Sequence, residues 1–259
     1  MPDLTVTLIQ MELEWEDIRA NLRRFDAEVD AIDRDTDLVI LPEMFSTGFS
    51  MRADSLAEEM DGAAVTWMRE KSAATATVIT GSVMIREAGR FYNRLIWARP
   101  DGTMQTYDKK HLFRYAGEEK VYTPGDTRIT IDLDGWKIRP FICYDLRFPI
   151  WTRNLENVYD LALFVANWPA RRSLHWRTLL RARAIENQAY VAAVNRIGRD
   201  GHGIDYSGGS AVIDPLGKML FEKSNQTSTA TLRLSKETLT DYRRRFPAWK
   251  DADIELCGQ

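Results

Sequence analysis

Residues 139–151 read RPFICYDLRFPIW. Pro140 to Cys143 is a short apolar run of the kind that fills a buried strand. Tyr144-Asp145-Leu146-Arg147 breaks the run, and Pro149 stops any simple continuation of it. Cys143 therefore falls where a buried strand ends and a turn begins. Proteins that alternate strand and helix place their chemistry at such strand ends. On this stretch alone a plainer role is favoured for Cys143, that of a small apolar filler, because free cysteine is among the most buried residue types.

Outward from this stretch the chain alternates strand and helix. Towards the C-terminus, Asp160–Ala166 and Tyr190–Asn195 are buried strands flanking a helix over Ser173–Asn187. On the N-terminal side, Trp136–Cys143 pairs with Ile129–Leu133 across the turn signal Asp134-Gly135. Leu4–Gln10 alternates like a strand. Ile18, Leu22, Phe25, Val29 and Ile32 recur at helical spacing, predicting a helix over Asp17–Ile32. Asp37–Leu41 is an apolar strand, Pro42–Ser50 a loop, and Gly62–Ala76 a helix. Val78–Ile85 and Phe91–Ala98 form a hairpin, and a strand follows over Gly102–Tyr107. Tyr107–Gly125 is polar and irregular, and a loop of that length in a compact domain is more often functional than idle. Tyr206–Ser210 reads as a turn before a short strand over Ala211–Ile213. Met219–Phe221 and Ser228–Leu234 make a final hairpin. The expectation is a layered α/β (α+β) fold with a mixed sheet, in one domain over residues 1–259, ending in a C-terminal arm from about residue 235.

Composition excludes several classes. The 259 residues, 44% hydrophobic, suffice for a large core. A net charge of −3 with scattered Lys and Arg gives no basic face for nucleic acid. No segment is long and apolar enough to span a membrane, and the N-terminus does not read as a signal peptide. Two cysteines, Cys143 and Cys257, imply no disulfide framework. The expectation is a soluble, cytoplasmic protein.

The irregular points after the buried strands carry chemistry. Asp37–Leu41 runs into Glu43, the strand before Tyr144 ends at Cys143, and Lys109 and Lys110 lie in the long loop between. A thiolate needs a base or a cation to form near neutral pH. A carboxylate in a dry pocket serves as general base, and an ammonium stabilises the oxyanion formed when a carbonyl is attacked. Singly, each of these residues is better read as a cap, an ion-pair partner or a surface charge.

Together they carry a resemblance. The segments LPEMFSTGF (41–49), YDKKHLF (107–113) and CYDLRFP (143–149), in this order, resemble the three signature regions of the nitrilase superfamily of thiol carbon–nitrogen hydrolases. NWP (167–169), RARAIENQAYVAAVNR (181–196) and SGGSAVIDPLG (207–217) extend it over nearly the whole chain. CYDLRFPIW, NWPARRSLHW and DYRRRFPAWKDAD are similar to the omega-amidase-like branch. The resemblance implies a four-layer α-β-β-α sandwich that commonly pairs its α faces in a homodimer. It implies Glu43 as general base, Lys110 as oxyanion-stabilising lysine and Cys143 as nucleophile. A second glutamate is implied in the loop after the lysine, with Glu118 chosen and Glu119 the alternative.

The implied reaction is release of ammonia from the terminal amide of a short dicarboxylic acid monoamide, such as 2-oxoglutaramate or 2-oxosuccinamate, through a thioester. The Tyr144 amide would help to hold the oxyanion. Arg147 would bind the far carboxylate with its planar fork, against the alternative of an ion pair with Asp145. Phe45, Tyr115 and Trp168 would wall the pocket. No cofactor is implied, and His111, His175 and His202 share no metal-ligand spacing. The rival readings are another activity of the superfamily (nitrilase, carbamoylase or aliphatic amidase), a papain-like Cys–His pair, a redox-sensing thiol, and a non-catalytic binding protein.

Overall fold

The computed structural model describes residues 2–32 and 35–252; Cys257 lies outside them. In chain order the elements are β1 (Leu4–Gln10), α1 (Ile18–Asp30), β2 (Leu38–Ile40), α2 (Ala53–Leu56), α3 (Ala63–Thr75), β3 (Val78–Glu87), β4 (Arg90–Ala98) and β5 (Met104–Asp108). Then come β6 (Ile131–Leu133), β7 (Trp136–Ile142), α4 (Pro149–Thr152), β8 (Leu161–Ala166), α5 (Ser173–Asn187) and β9 (Tyr190–Asn195). Last are β10 (Ile197–Arg199), β11 (Asp205–Ile213), β12 (Met219–Ser224), β13 (Ser228–Leu234) and α6 (Lys236–Arg245).

They form two sheets. One runs β13-β1-β2-β3-β4-β5; the other runs β10-β11-β9-β8-β7-β6, with β12 also paired to β11. Strand alternation explains why they stack. Leu4, Val6 and Leu8 of β1, with Leu95 and Trp97 of β4, share one core with the strands of the second sheet. Ile9, Val39, Ile79 and Ile96 belong to a second core with Phe25 and Val29 of α1 and Met68 of α3. Successive side chains thus serve opposite faces, as the two-residue strand period requires. β8 is buried on both faces, so its sequence LALFVA is apolar without alternation. α5 covers the outer face, with Trp176, Leu180 and Ala184 in the shared core. The expected α-β-β-α layering follows.

The segment after residue 235 packs back on the body. Ser235 caps α6 by accepting from the Thr238 amide, and Leu239 enters the core. Lys236 and Arg243 both bind the buried Asp160 carboxylate. Among the described residues no helix is long and apolar enough to cross a membrane.

Two readings change. Tyr206–Ser210 is not a turn but part of β11, whose pairing with β12 shifts register between Gly208 and Ser210. Gly208 and Gly209 both have positive φ, and a Cβ on Gly208 would meet the Gln10 side chain at 2.3 Å. The Gly-Gly signal thus marks an irregularity pressed against the other sheet. The short strand β10, polar and partly exposed, has no apolar pattern and escapes a periodicity reading.

Candidate active site

The site lies where β2, β7 and β8 end. β7 and β8 are parallel, as are β2 and β3, so their C-terminal ends deliver side chains to the same edge. β7 stops at Ile142, and a 3-10 turn begins at Cys143, which has a φ of +45°. A non-glycine residue there is strained by about 1–3 kcal/mol unless its surroundings hold it. Asp145 does so. Its buried carboxylate accepts from the Ile142 amide (3.0 Å), the Tyr107 hydroxyl (2.7 Å) and the His111 amide (3.0 Å). The His111 ring nitrogen lies 2.8 Å from the same carboxylate.

Glu43 follows β2 and is fully buried. One carboxylate oxygen accepts from Lys109 Nζ and from Asn93 Nδ2, each at 2.8 Å. The other accepts from the Asn167 amide at 2.8 Å, just past the end of β8. Glu118, in a short 3-10 turn of the long loop, is also fully buried and accepts from Lys109 Nζ at 3.0 and 2.9 Å. Its remaining partners are the Phe113 amide and Asn93 Nδ2.

Strand alternation puts Lys109 there. Its amide donates to the Asn93 carbonyl, extending the β4–β5 ladder one residue past Asp108. Tyr107 faces the core between the sheets, so Lys109, two residues on, faces the same way. Gly125 closes the loop by donating to the Lys109 carbonyl at 2.9 Å. A Cβ at Gly125 would sit 2.3 Å from the Asp108 carbonyl oxygen, so glycine is required there.

The electrostatics follow from burial and charge. Burial alone would lower the Lys109 pKa, but the Glu118 and Glu43 carboxylates outweigh it and raise it, so the ammonium is held charged. Burial pushes Glu118 up, and repulsion from Glu43 adds to this against the pull of Lys109. Burial, then the facing Glu43 carboxylate, pushes the Cys143 thiol well above its ordinary range, with Lys109 opposing. At neutral pH this is a protonated thiol beside a buried acceptor. It can attack only as its proton leaves, which is the arrangement for base-assisted thiol addition to a carbonyl.

Residues 5–244 match the carbon-nitrogen hydrolase family. The chain belongs to that family. It is 48% identical to omega-amidase YafV of Escherichia coli over 98% of both chains. It is 30% identical to 2-oxoglutaramate amidase of Bacillus subtilis, over 97% of this chain and 98% of that one. The solved structure of XC1258 from Xanthomonas campestris, a CN-hydrolase superfamily protein with an arsenic adduct in its active site, is 46% identical. It covers 98% of each chain with a TM-score of 0.96.

In this carbon–nitrogen hydrolase the lysine of the cluster is Lys109, not Lys110. The Lys110 ammonium lies over the Trp151 ring, 5.3 Å from its centre, and borders a separate surface hollow with Arg128. Glu118 reaches Lys109; Glu119 has no such bond among the described residues. Beside Cys143 opens a cavity of about 290 Å³, at the small end for ligand sites. Tyr144, Arg147, Tyr115 and Trp168 line it as expected. Phe45 does not. It is fully buried in the helix-side core, its ring 5.3 Å from that of Phe25 and 5.7 Å from that of Trp67. Phe45 and Glu43 share a strand-end loop but leave it on opposite faces, so proximity in sequence misled. Arg147 does not pair with Asp145, whose carboxylate is occupied as described; it meets the His175 ring nitrogen at 3.0 Å. Sequence reasoning missed Asn93, Asn167 and Asp145. Asn167 and Asp145 are buried polar residues just past strand ends, and that combination was the available signal, whereas Asn93 lies within β4 with nothing in the sequence to mark it.

Proposed function

We propose that this carbon–nitrogen hydrolase is an omega-amidase, releasing ammonia from the terminal amide of a short dicarboxylic acid monoamide of the 2-oxoglutaramate type. The observation that carries the reading is the pairing of a thiol–carboxylate–ammonium cluster with a small cavity whose wall bears a guanidinium, Arg147, free of any acidic partner among the described residues. The likeness to two amidases of this kind supports it.

Glu43 takes the Cys143 proton as sulfur bonds to the amide carbon, and the carbonyl electrons move to oxygen. Lys109 and the Tyr144 amide hold that oxyanion. The oxyanion collapses, the C–N bond breaks, and Glu43 returns its proton to the leaving ammonia. A Cys143 thioester remains. Glu43, with Glu118 sustaining the Lys109 charge, then draws a proton from water. The hydroxide equivalent attacks the thioester carbonyl, the C–S bond breaks, and the thiol recovers its proton. Arg147 receives the far carboxylate.

An ammonia-release assay across 2-oxoglutaramate, a simple nitrile and an N-carbamoyl amino acid tests the substrate class. Turnover is expected on the first and at least a hundredfold less on the others: the nitrile lacks the carboxylate the site is built around, and the carbamoyl compound offers a less electrophilic ureido carbonyl with its carboxylate at a different distance. Faster turnover of either alternative would refute the reading. A homodimer through α5 is also proposed. Leu174 and Ile185, about three turns apart and so on one face of the helix, are exposed at 72% and 48%, and light scattering at twice the chain mass of 29.8 kDa checks it.

A further inference from the structure

Three arginines stand on the wall of the Cys143 cavity: Arg147, Arg171 and Arg172. Among the described residues none is paired with a carboxylate. Each guanidinium lies over an aromatic ring instead, Arg147 over Trp168 at 4.7 Å, Arg171 over Tyr115 at 5.4 Å and Arg172 over Phe113 at 5.2 Å. Ring faces hold a cation in place without neutralising it.

The one carboxylate that borders the cavity among the described residues, Asp200, is already occupied. One oxygen accepts from the His202 and Ile204 amides and the other from the Tyr206 hydroxyl. Among the described residues the wall therefore carries positive charge that no carboxylate balances. Burial, then the neighbouring Arg171 and Arg147, lowers the Arg172 pKa. Like charges gathered on one partly dry wall are what an anion of the right size relieves.

The three arginines are not equivalent. Arg171 is exposed, whereas Arg147 and Arg172 are half-buried. Arg172 sits at the end of the turn that follows Asn167, Trp168 and Pro169, and its carbonyl accepts from Trp168 Nε1 at 2.8 Å. Arg147 ends the turn that begins at Cys143. Each is thus tied to a segment that already carries a wall or reacting group of the site.

We propose that Arg172 acts with Arg147 as a two-guanidinium seat for the carboxylate at the far end of the substrate, and that Arg172 is a specificity-determining residue. This rests on the omega-amidase reading. Two planar forks from two fixed turns orient a carboxylate in a way that one cannot. Arg171 adds charge at the mouth.

The test compares glutaramate with pentanamide, the neutral amide of the same chain length, on wild type, Arg172→Met and Arg172→Lys. A charge-assisted hydrogen bond lost is worth roughly 10- to 100-fold. Arg172→Met is expected to raise KM for glutaramate by that factor, with kcat little changed and kcat/KM for pentanamide within about twofold. Arg172→Lys keeps the stem over Phe113 and recovers part of the loss, which also covers the case of a methionine variant that does not fold. Equal losses on both amides, or no loss on glutaramate while wild type favours it over pentanamide, overturn the seat alone. A wild type that does not favour glutaramate overturns the omega-amidase reading, and the seat with it.

Discussion

Replacing Lys109 with methionine is expected to lower kcat by about a hundred- to a thousandfold, whereas Lys110→Met leaves it within about twofold of wild type. The first figure is the cost of removing one preorganised oxyanion donor. The contrast rests on geometry. Lys109 Nζ touches two buried carboxylates, while the Lys110 ammonium lies over Trp151 outside the cavity. A stability effect accompanies the kinetic one. Lys109→Met leaves Glu43 and Glu118 buried without their shared cation, and breaking such a cluster from one side costs about 3–5 kcal/mol. Thermal melts of the two variants separate the terms. Lys110→Met melts like wild type, and Lys109→Met melts lower but still shows its kcat loss well below its melting point. Equal kcat in the two variants would refute the assignment of the lysine.

Glu43→Gln is expected to lower kcat by about a hundred- to ten-thousandfold, the usual range for a lost general base. Glutamine keeps the shape and an acceptor oxygen for Lys109 but takes no proton from sulfur. The pH dependence of thiol reactivity carries the sign. Burial and Glu43 both raise the Cys143 pKa, so alkylation by a small neutral reagent is slow at neutral pH and climbs as pH rises past the ordinary thiol value of 9.0. Glu43→Gln removes one upward cause and leaves burial and the smaller effect of Glu118. Its alkylation curve therefore moves to lower pH while its amide turnover falls. A thiol made easier to ionise and yet less active is the signature of an acceptor working during the attack. A preformed thiolate of the Cys–His kind would be reactive at neutral pH in the wild type.

Much of this was legible before the structure. The buried runs ending at Glu43 and Cys143 are short, apolar and bounded by proline, so their ends could be read as strand ends. The helix over Ser173–Asn187 and the strand over Tyr190–Asn195 fall where the periodicity puts them. What failed did so for identifiable reasons. Lys109 and Lys110 have the same chemistry and adjacent positions, and only the two-residue alternation carried on from Tyr107 separates them. Phe45 stands two residues from Glu43, but the loop turns it into the helix-side core. Asp145 reads as a charged partner for Arg147. Its bonds to Tyr107 and His111 depend on a segment more than thirty residues away in sequence, so its part in holding the Cys143 turn emerges only in three dimensions. Arg172 stands beside Arg171 with no periodicity to mark it, and only the cavity gathers it beside Arg147.

The central claim is that Cys143 carries the acyl group, with its proton passed to Glu43. Intact-protein mass measured after acid quenching of wild type during turnover of 2-oxoglutaramate tests it most directly. The expected result is a fraction of the protein heavier by the substrate's acyl group, located at Cys143 by peptide mapping. That species should be missing from Cys143→Ala and strongly depleted in Glu43→Gln. Ammonia release by Cys143→Ala at the wild-type rate, or an adduct mapped to any other residue, would contradict the account.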